Sequence, residues 1–351
     1  MTDLILLILI ILGICSLPMY TKKQYKMAMW VIIIAMVVMF GLRHYSVGVD
    51  SSTYAYRYET LTELGVFEKG FVWLIKGLHF ICSQYTCLFL TTSAIIWVGL
   101  LTFYKKYTNS YWLAIFLFCA LGGINTVANN CMRQGIAIII FLWALPFALQ
   151  KKWILYFLSI GLAILFHRSA VFVLPIYFLI QLKFKWWKII PLIVSFAFVL
   201  SFAEVITNYL FSDYERYLVE VERINIGKVV QSLVVSCIGL FPLYWRSITV
   251  SAQRDDALNN AFLWLIPLYL ICAWGIYLSN VGRPLGRLSW YLFPIIFVNF
   301  ANYLDSVPIK IRRLITISLI IIVFSFRLGV YWMSDMSSQA DLIYYYKFFW
   351  Q

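Results

Sequence analysis

KKWILYFLSIGLAILFHRSAVFVLPIYFLIQLK, residues 151–183, has lysines at both ends, apolar runs between them and one ionisable pair, His167-Arg168, near its middle. Lysines collect on the cytoplasmic side of membrane proteins, so both ends belong there and the chain must turn back between them. Half of the run reaches only about 22 Å at 1.5 Å per residue, against a hydrocarbon layer of about 30 Å. The stretch therefore reads as a hairpin whose tip, Phe166-His167-Arg168-Ser169, stops below the outer surface at the bottom of a cavity. An ionisable pair at that depth is a functional hypothesis by default.

The rest of the chain has the same character. It is 63% hydrophobic and 12% charged over 351 residues, with mean hydropathy +0.85. Such a composition belongs to a polytopic membrane protein and not to a large soluble core. Twelve apolar segments are readable: Leu4–Tyr20, Met27–Leu42, Leu88–Tyr104, Tyr111–Ile124, Met132–Leu149, Trp153–Phe166, Ala170–Leu182, Ile189–Ala203, Val229–Trp245, Ala261–Ser279, Leu288–Leu304 and Leu314–Trp332. Several are short enough to be tilted, re-entrant or merged. The expected fold class is all-α: one integral membrane domain over residues 1–351, a helix bundle of about twelve spans.

Charge gives the orientation. Alternate loops hold Lys22, Lys23, Lys26; Lys105, Lys106; Lys151, Lys152; Lys183, Lys185, Lys188; Arg246, Arg254; and Lys310, Arg312, Arg313. With three acids among these 15 basic residues their net is +12, while the other side holds 13 basic residues and 12 acids, a net of +1. The formal +13 is thus a topology signal and does not imply nucleic-acid binding. Both termini are expected outside the cytoplasm. The first span follows an acidic Met1-Thr2-Asp3 and lacks a small-x-small site, so it reads as a retained helix and not a signal peptide. The seven cysteines form no CxxC pair; a Cys82–Cys87 bridge on the outer side is one option, and metal or redox use is not indicated.

Two long external loops, residues 43–87 and 204–228, each carry an amphipathic stretch suited to the interface. In the first, Phe67, Phe71, Leu74, Ile75 and Leu78 recur at helical spacing, with Lys69 and Lys76 on another face. In the second, Ser212-x-x-Glu215 resembles a capping box ahead of an apolar face formed by Leu210, Tyr214, Tyr217, Leu218, Val221 and Ile224. Each stretch seals the outer rim or guides a lipid-linked substrate.

Five arginines, Arg43, Arg133, Arg168, Arg283 and Arg287, fall on the outer side, which is the wrong side for topological charge. Arg133, Arg168 and Arg287 are placed at first turns of helices, where the macrodipole is already positive. A bound anion is the simplest reason for cations there. Around them lie Arg43 with Asp50 and Tyr54 across a turn at Gly48; Asn129, Asn130, Arg133 and Gln134; His167, Arg168 and Ser169; and Arg283 with Arg287 flanking Pro284-Gly286 ahead of Tyr291. Two arginines four residues apart suit a diphosphate, bound by charge-assisted, bidentate contacts. Each cluster also has a plainer reading, as a capped helix end, a salt bridge or a histidine satisfied within the bundle. No GxxxxGK[ST] run, cytoplasmic DxD or HExxH motif occurs, so ATP-driven transport, metal-dependent nucleotide-sugar transfer and a zinc site are not indicated.

At these residues the chain resembles the EpsG-like branch of the Wzy-type bacterial polysaccharide polymerases. The matching pieces are Arg43…Gly48-x-Asp50…Tyr54, Met132-Arg133-Gln134-Gly135, His167-x-Ser169, and Arg287…Tyr291 before Pro294, in order over roughly residues 30–300. The resemblance implies a metal-independent, cofactor-free glycosyltransferase with a GT-C-like bundle. Its place would be the outer face of the bacterial cytoplasmic membrane. It would transfer glycan from a polyprenyl-diphosphate-linked oligosaccharide to a lipid-linked acceptor among membrane lipids, with flippase and chain-length regulator proteins as further partners. Arg43, Arg133, Arg168, Arg283 and Arg287 would hold the diphosphate. Asn129, Gln134, Ser169, Tyr54 and Tyr291 would support them, and a base would take the acceptor's proton. His167 is the first candidate for that base and Asp50 the second. A transporter or flippase for the same lipid, or a membrane acyltransferase using His167, are the alternatives. The first calls for polar residues at midplane and often inverted repeats, the second for a donor path from the cytoplasm.

Overall fold

The structure, a computed structural model, describes residues 10–16, 22–48, 50–194, 226–248, 256–275, 282–333 and 348–350. Every element among them is helical except one isolated antiparallel bridge between Arg43 and Phe348. In chain order the α-helices are α1 (Lys22–Gly41), α2 (Ser51–Thr60), α3 (Lys69–Ile81), α4 (Tyr85–Tyr107), α5 (Tyr111–Phe118), α6 (Met132–Leu149), α7 (Trp153–Phe166), α8 (Ile176–Gln181), α9 (Ile226–Ile248), α10 (Asp256–Gly275), α11 (Gly282–Ser306) and α12 (Ile309–Met333).

Among the described residues, three segments are long and apolar enough to cross a membrane: Tyr85–Tyr107, Met132–Leu149 and Ala257–Gly275. Met29–Gly41, Tyr111–Ile124, Trp153–Phe166, Arg168–Gln181 and Val229–Leu243 are shorter apolar helices. The protein is thus a membrane-embedded helical chain. Most of the first apolar segment, the second half of Ile189–Ala203 and residues 204–225 of the second loop lie outside the described residues.

Three expected segments differ in detail. The return arm of the hairpin is not one helix. A 3₁₀ turn, Arg168–Val173, precedes α8, with Pro175 at the N-cap. Proline lacks the N–H that a helix interior requires, so the arm can become α-helical only after it. Segment Tyr111–Ile124 is α-helical to Phe118 and then continues as a π-type stretch, Cys119–Asn130, with a kink at Leu121-Gly122. Gly122 has φ 107°, open to glycine without strain. Because α6 begins only at Met132, Asn129 and Arg133 do not share one continuous helix. Finally, Pro284-Gly286 is not a turn: α11 starts at Gly282. Proline is tolerated in a first helical turn, where its missing N–H has no partner to lose. Arg287 accordingly lies in the second turn.

By contacts the chain divides into two compact units. One comprises Met1–Ala144, Leu158–Val171 and Ala301–Gln351; the other comprises Leu145–Phe157 and Phe172–Phe300. In the first, α1 lies along α4. At the C-terminal end of α4, Asp305 accepts hydrogen bonds from Ser110 Oγ (2.5 Å), Thr108 Oγ1 (3.3 Å) and Arg312 Nη1 (3.1 Å). At the other end of α4 the loop 43–87 forms a helical cap with its own core: Tyr54, Ala55, Tyr58, Phe67, Phe71 and Ile75 against Leu88, Phe89, Met132 and Ile136. The 23 residues of α4 separate the two ends by about 35 Å at 1.5 Å per residue.

The cap holds both expected and unexpected parts. The amphipathic reading of residues 67–78 corresponds to α3, which buries Phe71 and Ile75 and leaves Lys69 and Lys76 exposed. Helix α2 was not expected, although Ser51, Tyr54, Ala55 and Tyr58, all buried, have helical spacing. A Cys82–Cys87 disulfide ties the end of α3 to the start of α4, and Glu59 Oε1 accepts from the first α4 amide, Tyr85 N, at 3.2 Å. Tail residue Phe349 donates its N–H to Leu42 O at 2.9 Å, beside the Arg43–Phe348 bridge.

In the second unit the end of α8 is stitched to α10. Asn260 Nδ2 donates to Ile180 O (2.8 Å), its Oδ1 accepts from Phe184 N (2.9 Å), and Trp264 Nε1 donates to Leu182 O (2.8 Å). These bonds satisfy carbonyls that the helix end leaves open.

Gly70 fixes how α3 meets the hairpin tip. A Cβ there would lie 2.7 Å from the backbone oxygen of Leu165, an atom with no rotamer to yield. Gly70→Ala is expected to cost about 1–3 kcal/mol, as overpacking does. It should lower the melting temperature of the purified protein. An unchanged melting temperature would mean that α3 does not rest on the tip.

Candidate active site

The cap brings four of the expected residues together around one that the sequence reading missed. Glu68 sits at the N-cap of α3 in extended backbone (φ −65°, ψ 147°) and does not cap its own helix. Its Oε2 accepts from Arg133 Nη1 at 2.5 Å, and its Oε1 lies 3.2 Å from His167 Nδ1 and accepts the Arg168 backbone N–H at 3.2 Å. The side chains of Glu68 and His167 are 8% and 5% exposed.

Arg133, in the first turn of α6, also donates through Nε to Tyr54 Oη at 3.1 Å. Its guanidinium stands 4.8 Å from the centre of the Phe67 ring, within cation–π range. Phe67 and Phe71 flank the Tyr54 ring at 5.5 and 5.7 Å. Burial, opposed by the Arg133 charge and hydrogen bond, pushes the Tyr54 phenol up to about 12, so it stays protonated at neutral pH.

Burial by itself would raise the Glu68 pKa. The hydrogen bond from His167 and the charges of Arg133 and His167 outweigh it and hold the carboxyl at about 2, against an ordinary 4.5. A carboxylate depressed by folding stabilises fully above its unfolded pKa, and that contribution fades as pH falls toward the folded one. The gap in melting temperature between wild type and Glu68→Gln should therefore narrow from pH 4.5 toward pH 2. A gap constant across that window would show that Glu68 is not held as an ion.

The other expected residues divide by position. Arg43 is fully buried. It donates to Phe40 O, Val47 O (3.3 Å) and Ser51 Oγ (3.4 Å), and lies over the Phe89 ring at 4.2 Å. In that placement it fastens the base of the cap. Gly48, φ 117°, makes the turn above it, where a Cβ would meet Ser51 Oγ at 2.3 Å. Asp50 is exposed at the N-cap of α2, one turn before Tyr54. Arg168 is exposed, Ser169 half-buried, and Gln134 and Tyr291 are buried. Arg283 and Arg287 occupy the first two turns of α11. The side chains of Asn129, Arg283 and Arg287 lie outside the described residues.

An ionised carboxylate is acceptor-only. In the neutral imidazole, Nδ1 of His167 therefore carries the hydrogen it shares with Glu68, which leaves Nε2 with its lone pair. The site combines a proton acceptor, a half-buried compensated cation and an exposed arginine at the end of an apolar helix.

Comparison with known families bears on this arrangement. Residues 26–348 match the EpsG family. The chain belongs to the EpsG family. EpsG is a Wzy-like polysaccharide polymerase family, so the chain is of the glycosyltransferase-like, polysaccharide-building kind. No curated protein and no solved structure matches it. The EpsG match spans the whole cap, α6 and the hairpin, and so contains Glu68 as well as the residues singled out in the sequence.

Proposed function

We propose that this EpsG-family protein is an oligosaccharide repeat-unit polymerase with a GT-C-like bundle of about twelve spans. It works on the outer face of the bacterial cytoplasmic membrane, without metal or nucleotide. The acceptor sugar hydroxyl attacks the anomeric carbon of a polyprenyl-diphosphate-linked glycan. A new glycosidic bond forms, the bond to the diphosphate oxygen breaks, and lipid diphosphate leaves with the electron pair. His167 takes the hydroxyl proton. Arg168 stabilises the charge that develops on the leaving group, and Arg283 and Arg287 remain further diphosphate ligands on sequence grounds.

The observation that carries this reading is the buried Glu68–His167 contact beside Arg133 and Arg168. The Cys82–Cys87 disulfide supports the outward orientation, because such bonds persist on the oxidising side of the membrane. The Asp305 knot supports it too, for it joins the segment after the basic last turn of α4 to the basic first turn of α12, at the end of α4 opposite the cap.

The test uses purified protein in nanodiscs, lipid-diphosphate-linked oligosaccharide, EDTA and no nucleotide. Glycan extension is the expected result. Movement of the lipid between leaflets without extension would replace the polymerase reading with a transporter.

A further inference from the structure

We infer that Glu68 is the positioning residue that makes His167 a base: it fixes the hydrogen on Nδ1 and aims Nε2 at the acceptor hydroxyl. The inference rests on the polymerase reading for its chemistry, but its geometry stands alone. Glu68 is not simply the partner of Arg133. Only Oε2 faces that guanidinium, while Oε1 serves His167 Nδ1 and the Arg168 amide. Arg133 in turn is gripped by Tyr54 and the Phe67 ring, so the carboxylate is fixed from behind. Gly70 lets α3 descend far enough onto Leu165 to bring Glu68 to the hairpin tip.

The charged and titratable groups of this knot are Glu68 on α3, Arg133 on α6, Tyr54 and Asp50 on α2, and Arg168 on the turn after His167. In the reaction the acceptor proton moves to Nε2, and Glu68 stabilises the imidazolium without taking the proton itself, as a carboxylate does behind a histidine base. The imidazolium then returns its proton to the released diphosphate.

Glu68→Gln isolates the effect. Three donors, on Arg133, His167 and the Arg168 amide, face a side chain that now has one oxygen. The cation of Arg133 repels an amide NH₂, so the oxygen turns to Arg133 and the NH₂ turns to His167. His167 must then accept on Nδ1 and carry its hydrogen on Nε2, the wrong tautomer for a base.

The experiment pairs ¹⁵N-histidine NMR with turnover of lipid-diphosphate-linked oligosaccharide, both on the full chain in nanodiscs. The chain has only three histidines, His44, His79 and His167, so a His167→Asn spectrum assigns the third. Wild type should show hydrogen on Nδ1 of His167 and Glu68→Gln should show it on Nε2. Turnover of Glu68→Gln should fall by about 10²–10⁴-fold with KM little changed. Its acid limb should move to lower pH, because the lost carboxylate no longer favours the imidazolium. Glu68→Asp should recover part of the rate. Hydrogen on Nε2 in the wild type would overturn the inference without requiring any variant to fold. Absence of extension by the wild type would sink the polymerase reading instead, and the tautomer result would still stand or fall by itself.

Discussion

Arg133→Ala is expected to abolish polymer formation and, at the same time, to lower the stability of the protein. Removing one partner of a buried ion pair leaves the other charge uncompensated, at a cost of about 3–5 kcal/mol. Glu68 is the more enclosed partner, 8% exposed against 23% for Arg133. The remaining donors, His167 and the Arg168 amide, keep the expected loss near the lower end of that range. Arg133→Lys should restore stability only in part: an ammonium can meet Glu68 but lacks the planar fork that also reaches Tyr54. The decisive measurement is a double-mutant cycle. In a Glu68→Gln background the stability cost of Arg133→Ala should shrink, since the charge it compensates is gone. A diphosphate ligand would behave otherwise. Unchanged melting temperature with a raised KM for the lipid-linked donor would return Arg133 to the role its place at a helix start suggests.

His167→Ala should slow turnover by about 10²–10⁴-fold, the usual worth of general-base help, while donor binding persists. The side chain is small in volume and lies at the tip of a turn, so its loss should leave the bundle intact. Asp50→Asn is the necessary partner experiment. Asp50 is exposed at the start of α2, and a modest effect is expected. If Asp50→Asn stops turnover while His167→Ala retains most of it, Asp50 is the base and the knot around Glu68 is structural.

Much of this was readable from the residues. Apolar runs gave α6 and α7 to the residue and the middle of α4, which extends about one turn further at each end, because long periods of leucine, isoleucine and phenylalanine have few other ways to fold. The hairpin at 151–183 followed from its lysines. The return arm did not, because the break depends on where Pro175 falls within a short apolar run. Arg133, His167 and Arg168 drew notice as charges in unfavourable places. Glu68 escaped because an acid beside a lysine on the outer side looks like ordinary solvated surface. Its signal was its position at the head of an amphipathic helix, where a negative charge suits the dipole. What the sequence hid was the partner, since Glu68 meets residues 65 and 99 positions away. The burial of Arg43 was hidden for the opposite reason: its neighbours Phe40, Val47 and Ser51 are local, but the Phe89 ring that covers it comes from α4.

The bridge between Phe348 and Arg43 has a bearing on how the molecule assembles. It joins Arg43, just after α1, to Phe348, far along the chain. Closing so long a loop for so few bonds has an entropic cost and gains little in return, so this pairing cannot nucleate folding. It forms after the helices are in place. The segment that fastens the floor of the cap thus waits for a partner translated much later, and a chain stopped before Phe348 would carry the cap with that fastening unmade.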